Sequence, residues 1–264
     1  MCCLRLLLPL GMVALTVILS CPRVVRADQA TTERARKFVK DHEARLRPLE
    51  VAGNLAWWKA NTTGKDEAFR EKEEAQNRID EALANPQAFD ELKAIHQKRK
   101  DLTDRVLARQ IDVLYRTYLE KQVDTALLKK IVAKANAVEK AFNVYRAKVD
   151  GKEMTDSEVR KVLKESKNSE RLQAVWEASK AIGGIVEADL KELVRLRNEA
   201  AHKLGYKNYH ALQLYINEQN TDDLMKLFDD LEELLDRKPE LGADKTEYIR
   251  RLIEKDLKKH QPRG

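Results

Sequence analysis

Residues 101–121 read DLTDRVLARQIDVLYRTYLEK, and this stretch decides the fold class. Val106, Leu107, Ile111, Leu114, Tyr118 and Leu119 return at three- and four-residue spacing, which places them on one face of a helix and predicts a core helix there. The same chemistry extends outward in both directions. The 264 residues include only 9 glycines and 6 prolines, and Ala, Leu, Glu, Lys and Arg dominate without any alternating β-branched run. Strands are therefore not expected, and the chain reads as all-α, an elongated array of many helices.

Upstream, Phe38, Leu46, Leu49, Leu55 and Trp58 mark a helix over about 31–61, with Pro48 placed to kink it and Asn61-Thr62-Thr63-Gly64 to stop it. A densely charged helix over about 65–84 ends at Asn85-Pro86, and a shorter one covers 88–98. Downstream, a helix over about 125–149 closes at Asp150-Gly151, and Thr155 with Glu158 forms a capping box that opens the next. Leu172, Val175 and Trp176 lie in a helix over 169–181. Gly183-Gly184 separates it from a helix over 185–204 that Gly205 ends. Thr221-Asp222-Asp223 caps a further helix ending at Pro239, and a basic helix covers about 244–259. No fixed-period repeat or low-complexity linker divides the chain, so one continuous array is expected.

Met1 to Ala27 reads as an export signal. Arg5 precedes an apolar run from Leu6 to Ser20, and Val25-Arg26-Ala27 offers small residues for cleavage after Ala27. The run is shorter than the ~20 residues of a membrane-spanning helix. An alternative takes Ile18-Leu19-Ser20-Cys21 as a lipoprotein box, which would lipidate Cys21 and tether the protein to a membrane. Cleavage after Ala27 would leave residues 28–264 as one helical domain, with Cys2, Cys3 and Cys21 all removed. Disulfides, thiolate metal sites and a cysteine nucleophile would then be excluded. Loss of Arg5, Arg23 and Arg26 takes the formal charge from +6 to +3. Charges of both signs alternate along the helices, which reads as solvated faces and against a nucleic-acid interface.

The sequence names no catalytic centre. His42, His96, His202, His210 and His260 never stand four apart, so no HExxH presents two imidazoles to one zinc. His42 is followed by Glu43, but Leu46 stands where the second ligand would be. All five read as surface or packing histidines. No GxSxG or GxxxxGK occurs, and the acidic pairs Glu73-Glu74, Asp222-Asp223 and Asp229-Asp230 read as helix surface. Asn61-Thr62-Thr63 matches a glycosylation sequon but reads first as a helix-end cap. Trp57 and Trp58 point about 100° apart on a helix. Core packing is the first reading for both rings, and a groove wall that contacts peptide is the second.

Three segments, LAWWKANTTGKDEAF (55–69), KANAVEKAFNVYRAKVDGKEMTDSEVRKVLKES (134–166) and VWEASKAIGGIVEADLKELVRLRNEAAHKLGYKNYHALQLYINEQ (175–219), carry a resemblance. Together they resemble the amino-terminal half of bacterial members of the angiotensin-converting-enzyme family of zinc dipeptidyl carboxypeptidases. The resemblance spans roughly residues 35–235. It implies an elongated helical fold in which these helices form the lid and one wall of a deep peptide channel, with Trp57 and Trp58 as candidate wall residues. In that family zinc is held by a later HExxH helix and a downstream glutamate, and nothing here corresponds to them. The expectation is a truncated half, inactive alone, that binds no zinc by itself and pairs with a complementary half or with itself. Peptides are the expected ligands and the bacterial periplasm or exterior the expected location. The alternatives are a non-catalytic periplasmic module that binds peptides or a protein, and a helical envelope scaffold.

Overall fold

The computed structural model describes residues 22–236, with side chains from 29 to 234. The first helix, α1, runs from Pro22 to Thr63. It passes through Pro48, which removes one backbone donor without ending the helix. Gly64, at φ 68°, turns the chain into α2 (Asp66–Leu83), and the two helices pack side by side. Gly53 permits that approach, because a Cβ there would meet Ile79 Cδ1 at 3.0 Å. The Asn85 side chain accepts from the Ala88 amide at 2.8 Å, and Pro86 occupies the first turn of α3 (Pro86–Gln97). A 3-10 turn over Arg99–Asp101 leads to α4 (Arg105–Leu119), capped by Asp104.

The main core forms where α1, α3 and α4 meet the end of α2. Ala35, Phe38, Leu46, Leu83, Leu92, Ile95, Leu107, Ile111 and Tyr118 are all buried there. Each fully buried Leu or Ile contributes about 1.5–3 kcal/mol. The stripe read in residues 101–121 holds at Leu107, Ile111 and Tyr118, with Leu114 partly buried against the same core. Val106, however, is 70% exposed, because it lies at the stripe's margin in the first turn of α4.

α5 (Thr125–Val144) lies on α2 and on α8 (Ile182–Lys203), with Leu127, Leu196 and Ala200 at the seam. α9 (Tyr209–Ile216) folds back on α8 after Gly205, at φ 85°. α10 (Thr221–Asp236) follows. Its cap is Asn220, whose Oδ1 accepts from the amides of Asp222 (2.8 Å) and Asp223 (3.1 Å), so the capping residue stands one position before Thr221.

The expected helix over 125–149 is corrected by the structure. α5 ends at Val144, and Ala147–Val149 (β1) pairs antiparallel with Lys152–Met154 (β2). Asp150 (φ 53°) and Gly151 (φ 75°) both adopt the left-handed region, as a two-residue hairpin turn requires. The hairpin rests on α6 (Asp156–Glu165) and α7 (Ser169–Lys180) through Ala147, Val159 and Val175, and the Tyr145 hydroxyl donates to the Ala178 carbonyl at 2.5 Å. Packing of Ala147 thus outweighs its helix propensity. The capping box at Thr155 and Glu158 is present. Gly183 and Gly184 lie inside the first turn of α8, and the break falls at Ala181. Among the described residues no helix is long and apolar enough to cross a membrane. The Cys2, Cys3 and Cys21 readings, the Ala27 side chain and the helix expected over 244–259 lie outside the described residues.

Candidate functional site

α1, α2 and α5 converge on a knot of polar side chains in an otherwise apolar seam. Asn136 follows Leu128 and Val132 at four-residue spacing on α5, so it occupies a core position and is 8% exposed. Its Nδ2 donates to the Phe69 carbonyl (3.0 Å) and to Glu73 Oε2 (3.1 Å). Its Oδ1 accepts from Lys72 Nζ at 3.1 Å. Lys72, with 13% of its side chain exposed, also donates to Glu139 Oε2 at 2.5 Å. Glu139 Oε1 accepts from Asn61 Nδ2 at 3.0 Å. Burial pushes the Glu139 carboxyl up, but hydrogen bonds from Lys72 and Asn61, the Lys72 charge and the Trp57 indole together outweigh it. The group is held below the usual glutamate range.

Hollows open on the sides of this knot. One, of about 320 Å³, lies between α2, α5, α8 and α9 and is lined by Trp57, Lys72, Glu139, Leu128, Val132, Arg197, Tyr209 and Leu212. A second, of about 330 Å³, lies between α1 and α2 and shares Trp57, Lys72 and Gln76 with the first. A third, of about 810 Å³, runs along the end of α5, the hairpin and α6, and shares Glu139 with the first and Asn61 with the knot. Trp57, Lys72 and Glu139 therefore stand between adjoining hollows, and Asn61 joins Glu139 on the wall of the third. Behind them Asp80 is buried, held by Gln76 (3.0 Å) and Lys121 (3.4 Å). Burial lowers the affinity of Lys121 for its proton, but Asp80 and Glu120 outweigh this and raise it.

The two tryptophans are not core residues. Trp57 is 48% and Trp58 65% exposed; Trp57 lines the first two hollows, and Trp58 lines none of those described above. Their turn of α1 faces away from the main core, which takes Ala35, Phe38 and Leu46 from the helix's earlier turns. Asn61 is not a simple cap either. Its amide donates to the Trp57 carbonyl and Glu139, and its oxygens accept from Asn143. A glycan on Nδ2 would displace those bonds. Lys72, Asn136 and Glu139 escaped the sequence reading. The available signal was a lone polar residue at position 136 in the stripe Leu128, Val132.

The sequence profile of Peptidase_M2, angiotensin-converting enzyme, matches residues 29–258. The chain belongs to this family. No curated protein matches it. The family is one of zinc peptidases, so the described residues can be tested for a zinc site, and they do not fit one. Among them no three His, Cys, Asp or Glu side chains converge as metal ligands. The closest approach is His96 Nε2 to Asp112 Oδ1 at 2.9 Å. There Arg99, Arg109 and Arg116 surround the same carboxylate at 3.5, 3.6 and 3.0 Å, which disfavours a dication. His42 faces the Tyr118 hydroxyl at 3.1 Å, and His202 Nε2 lies 2.9 Å from the Lys207 carbonyl. His210 is exposed. These histidines are packing and surface groups, and His260 lies outside the described residues.

Proposed function

We propose that the chain is the channel-wall half of a peptidase of the angiotensin-converting enzyme family, acting on peptides once a zinc-holding half joins it. The observation that carries this reading is the row of adjoining hollows that share Trp57, Lys72 and Glu139, in a chain whose family membership covers residues 29–258. A row of hollows suits an extended chain, and paired charges with an exposed indole suit alternating amides and side chains. In this reading Trp57 contacts peptide, Lys72 and Glu139 keep the wall rigid, and no step of hydrolysis falls to the residues described. Apolar side chains exposed on α8 (Ile185, Leu190, Val194) and α10 (Met225, Leu227, Phe228) supply faces for the complementary half or for self-association. Export with cleavage after Ala27 belongs to the same proposal.

The test is a peptidase assay on the processed chain with zinc, with and without a separately produced catalytic half of an intact relative. Hydrolysis only on mixing is the expected result; hydrolysis by the chain and zinc alone overturns it. A second reading, a binding module without catalysis, draws on the same row of hollows, all lined by residues of this chain. Quenching of Trp57 fluorescence by peptide, with no hydrolysis after mixing, selects that reading.

A further inference from the structure

The hollow between α2, α5, α8 and α9 contains a cation with nothing to hold. Its two ammonium groups are committed, Lys72 to Asn136 and Glu139, and Lys121 to Asp80 and Glu120. Arg197, on α8, is half-buried and makes no hydrogen bond or ion pair to any described residue, and its Nε is buried without a partner. Its guanidinium instead lies 5.1 Å from the centroid of the Tyr209 ring, a cation–π contact. Leaving a buried donor unpaired commonly costs ~1–3 kcal/mol, so the Nε calls for an explanation, and the cavity beside it offers room for an acceptor.

The rest of the cavity says what carries that acceptor. Leu128, Ile131, Val132, Ala135, Ala200 and Leu212 make an apolar floor, and the carboxylates in the lining are already engaged, Glu139 by Lys72, Asp80 and Glu120 by Lys121, and Glu73 by the Asn136 amide. We infer that this hollow binds a small carboxylate on an apolar body, the carboxylate taken by the Arg197 fork and the body laid on the α5, α8 and α9 side chains. Guanidinium and carboxylate match as planar two-point partners, whereas a neutral amide offers one acceptor and no charge. At about 320 Å³ the space is at the small end of ligand sites, which excludes a large ligand. The inference does not depend on the groove taking peptides or on a partner half, because every wall residue lies in this chain.

The probes are N-acetyl-leucine and its neutral amide, titrated into the full chain by calorimetry at low salt. The acid should bind at least about tenfold more tightly than the amide, the ratio expected for a charge-assisted pair worth ~1.5 kcal/mol. Arg197→Gln should erase that preference. Because Arg197 makes no hydrogen bond or ion pair to any described residue and only a cation–π contact with Tyr209, this variant should melt cooperatively within a few degrees of the parent, so lost binding is not lost folding. Arg197→Lys should recover only part of the preference, since a point charge lacks the fork. Ala200→Leu, which fills the floor, should abolish binding of both probes. Equal binding of acid and amide, an unchanged preference in Arg197→Gln, or no binding of the acid at ~20 mM, weaker than any useful site, each overturns the inference. Hydrolysis assays do not enter this test, so its failure is separate from failure of the peptidase reading.

Discussion

Replacing Lys72 with Met retains the aliphatic stem but removes the ammonium that ties α2 to α5. That ammonium donates to Asn136 Oδ1 at 3.1 Å and to Glu139 Oε2 at 2.5 Å. A hydrogen bond to a charged group contributes ~1.5–3 kcal/mol. The Glu139 side chain is 38% exposed, so solvent screening reduces the pair to ~1–2 kcal/mol. The unpaired Asn136 oxygen adds ~0.5–1 kcal/mol. Lys72→Met should therefore cost ~2 kcal/mol. A cycle with Glu139→Gln should give a coupling of ~1–2 kcal/mol at pH 7. The Glu139 carboxyl titrates below its ordinary value in the folded protein. Its contribution is thus complete above the unfolded value of ~4.3 and is lost as pH falls through the lower folded value. Urea unfolding of the parent, both single variants and the double variant, followed by circular dichroism at pH 7 and pH 3, measures both effects. A coupling under ~0.3 kcal/mol at pH 7, or one equally large at pH 3, refutes the account.

Other perturbations test separate parts of the fold. His42 is pushed below its ordinary value by burial, with the Arg45 charge reinforcing and Glu50 opposing, so the folded protein sheds this proton more readily than the unfolded chain. Its stabilising contribution is full above about pH 6.5 and falls as pH drops below that; His42→Gln should flatten this part of the stability profile, and an imidazole titrating above 6.5 by NMR contradicts the assignment. Thr155→Ala removes the capping box of α6 and should cost ~1 kcal/mol in chemical unfolding, and an unchanged midpoint counts against the cap. Gly205→Ala meets no atom within 4 Å, so its cost of ~1 kcal/mol should come from φ 85° alone, and Gly205→Asn should cost less. Val175→Ala, at a site with no exposure, should cost ~1–3 kcal/mol by cavity formation, measured as a lower melting temperature.

Helices with a clear apolar period were legible from residues alone. Leu107, Ile111 and Tyr118 entered the core as their spacing required, Asn85-Pro86 stands just past the end of α2 as a stop signal should, and Thr155 with Glu158 marked a real helix start. The hairpin was missed because Asp150-Gly151 also reads as a helix terminator, and only the packing of Ala147 against Val159 and Val175 separates the two outcomes. The site was harder still. Lys72 and Glu139 stand 67 positions apart, and each reads locally as one more charge on a solvated helix. Trp57 was visible as a candidate, but which ring faced a hollow depended on how α1 lies on α2, a tertiary fact that no local spacing encodes.

The hairpin with α6 and α7 carries its own small core, and nearly all its contacts lie between residues 145 and 178. Closing loops this short costs little chain entropy, so this unit can form early and reopen without disturbing the α1, α3 and α4 core. Backbone amides there should exchange with deuterium as a separate group, at a lower opening free energy than those of α3 and α4. The wall of the third hollow would then be a door with its own hinge energy, set by some thirty consecutive residues and adjustable by substitutions far from any ligand.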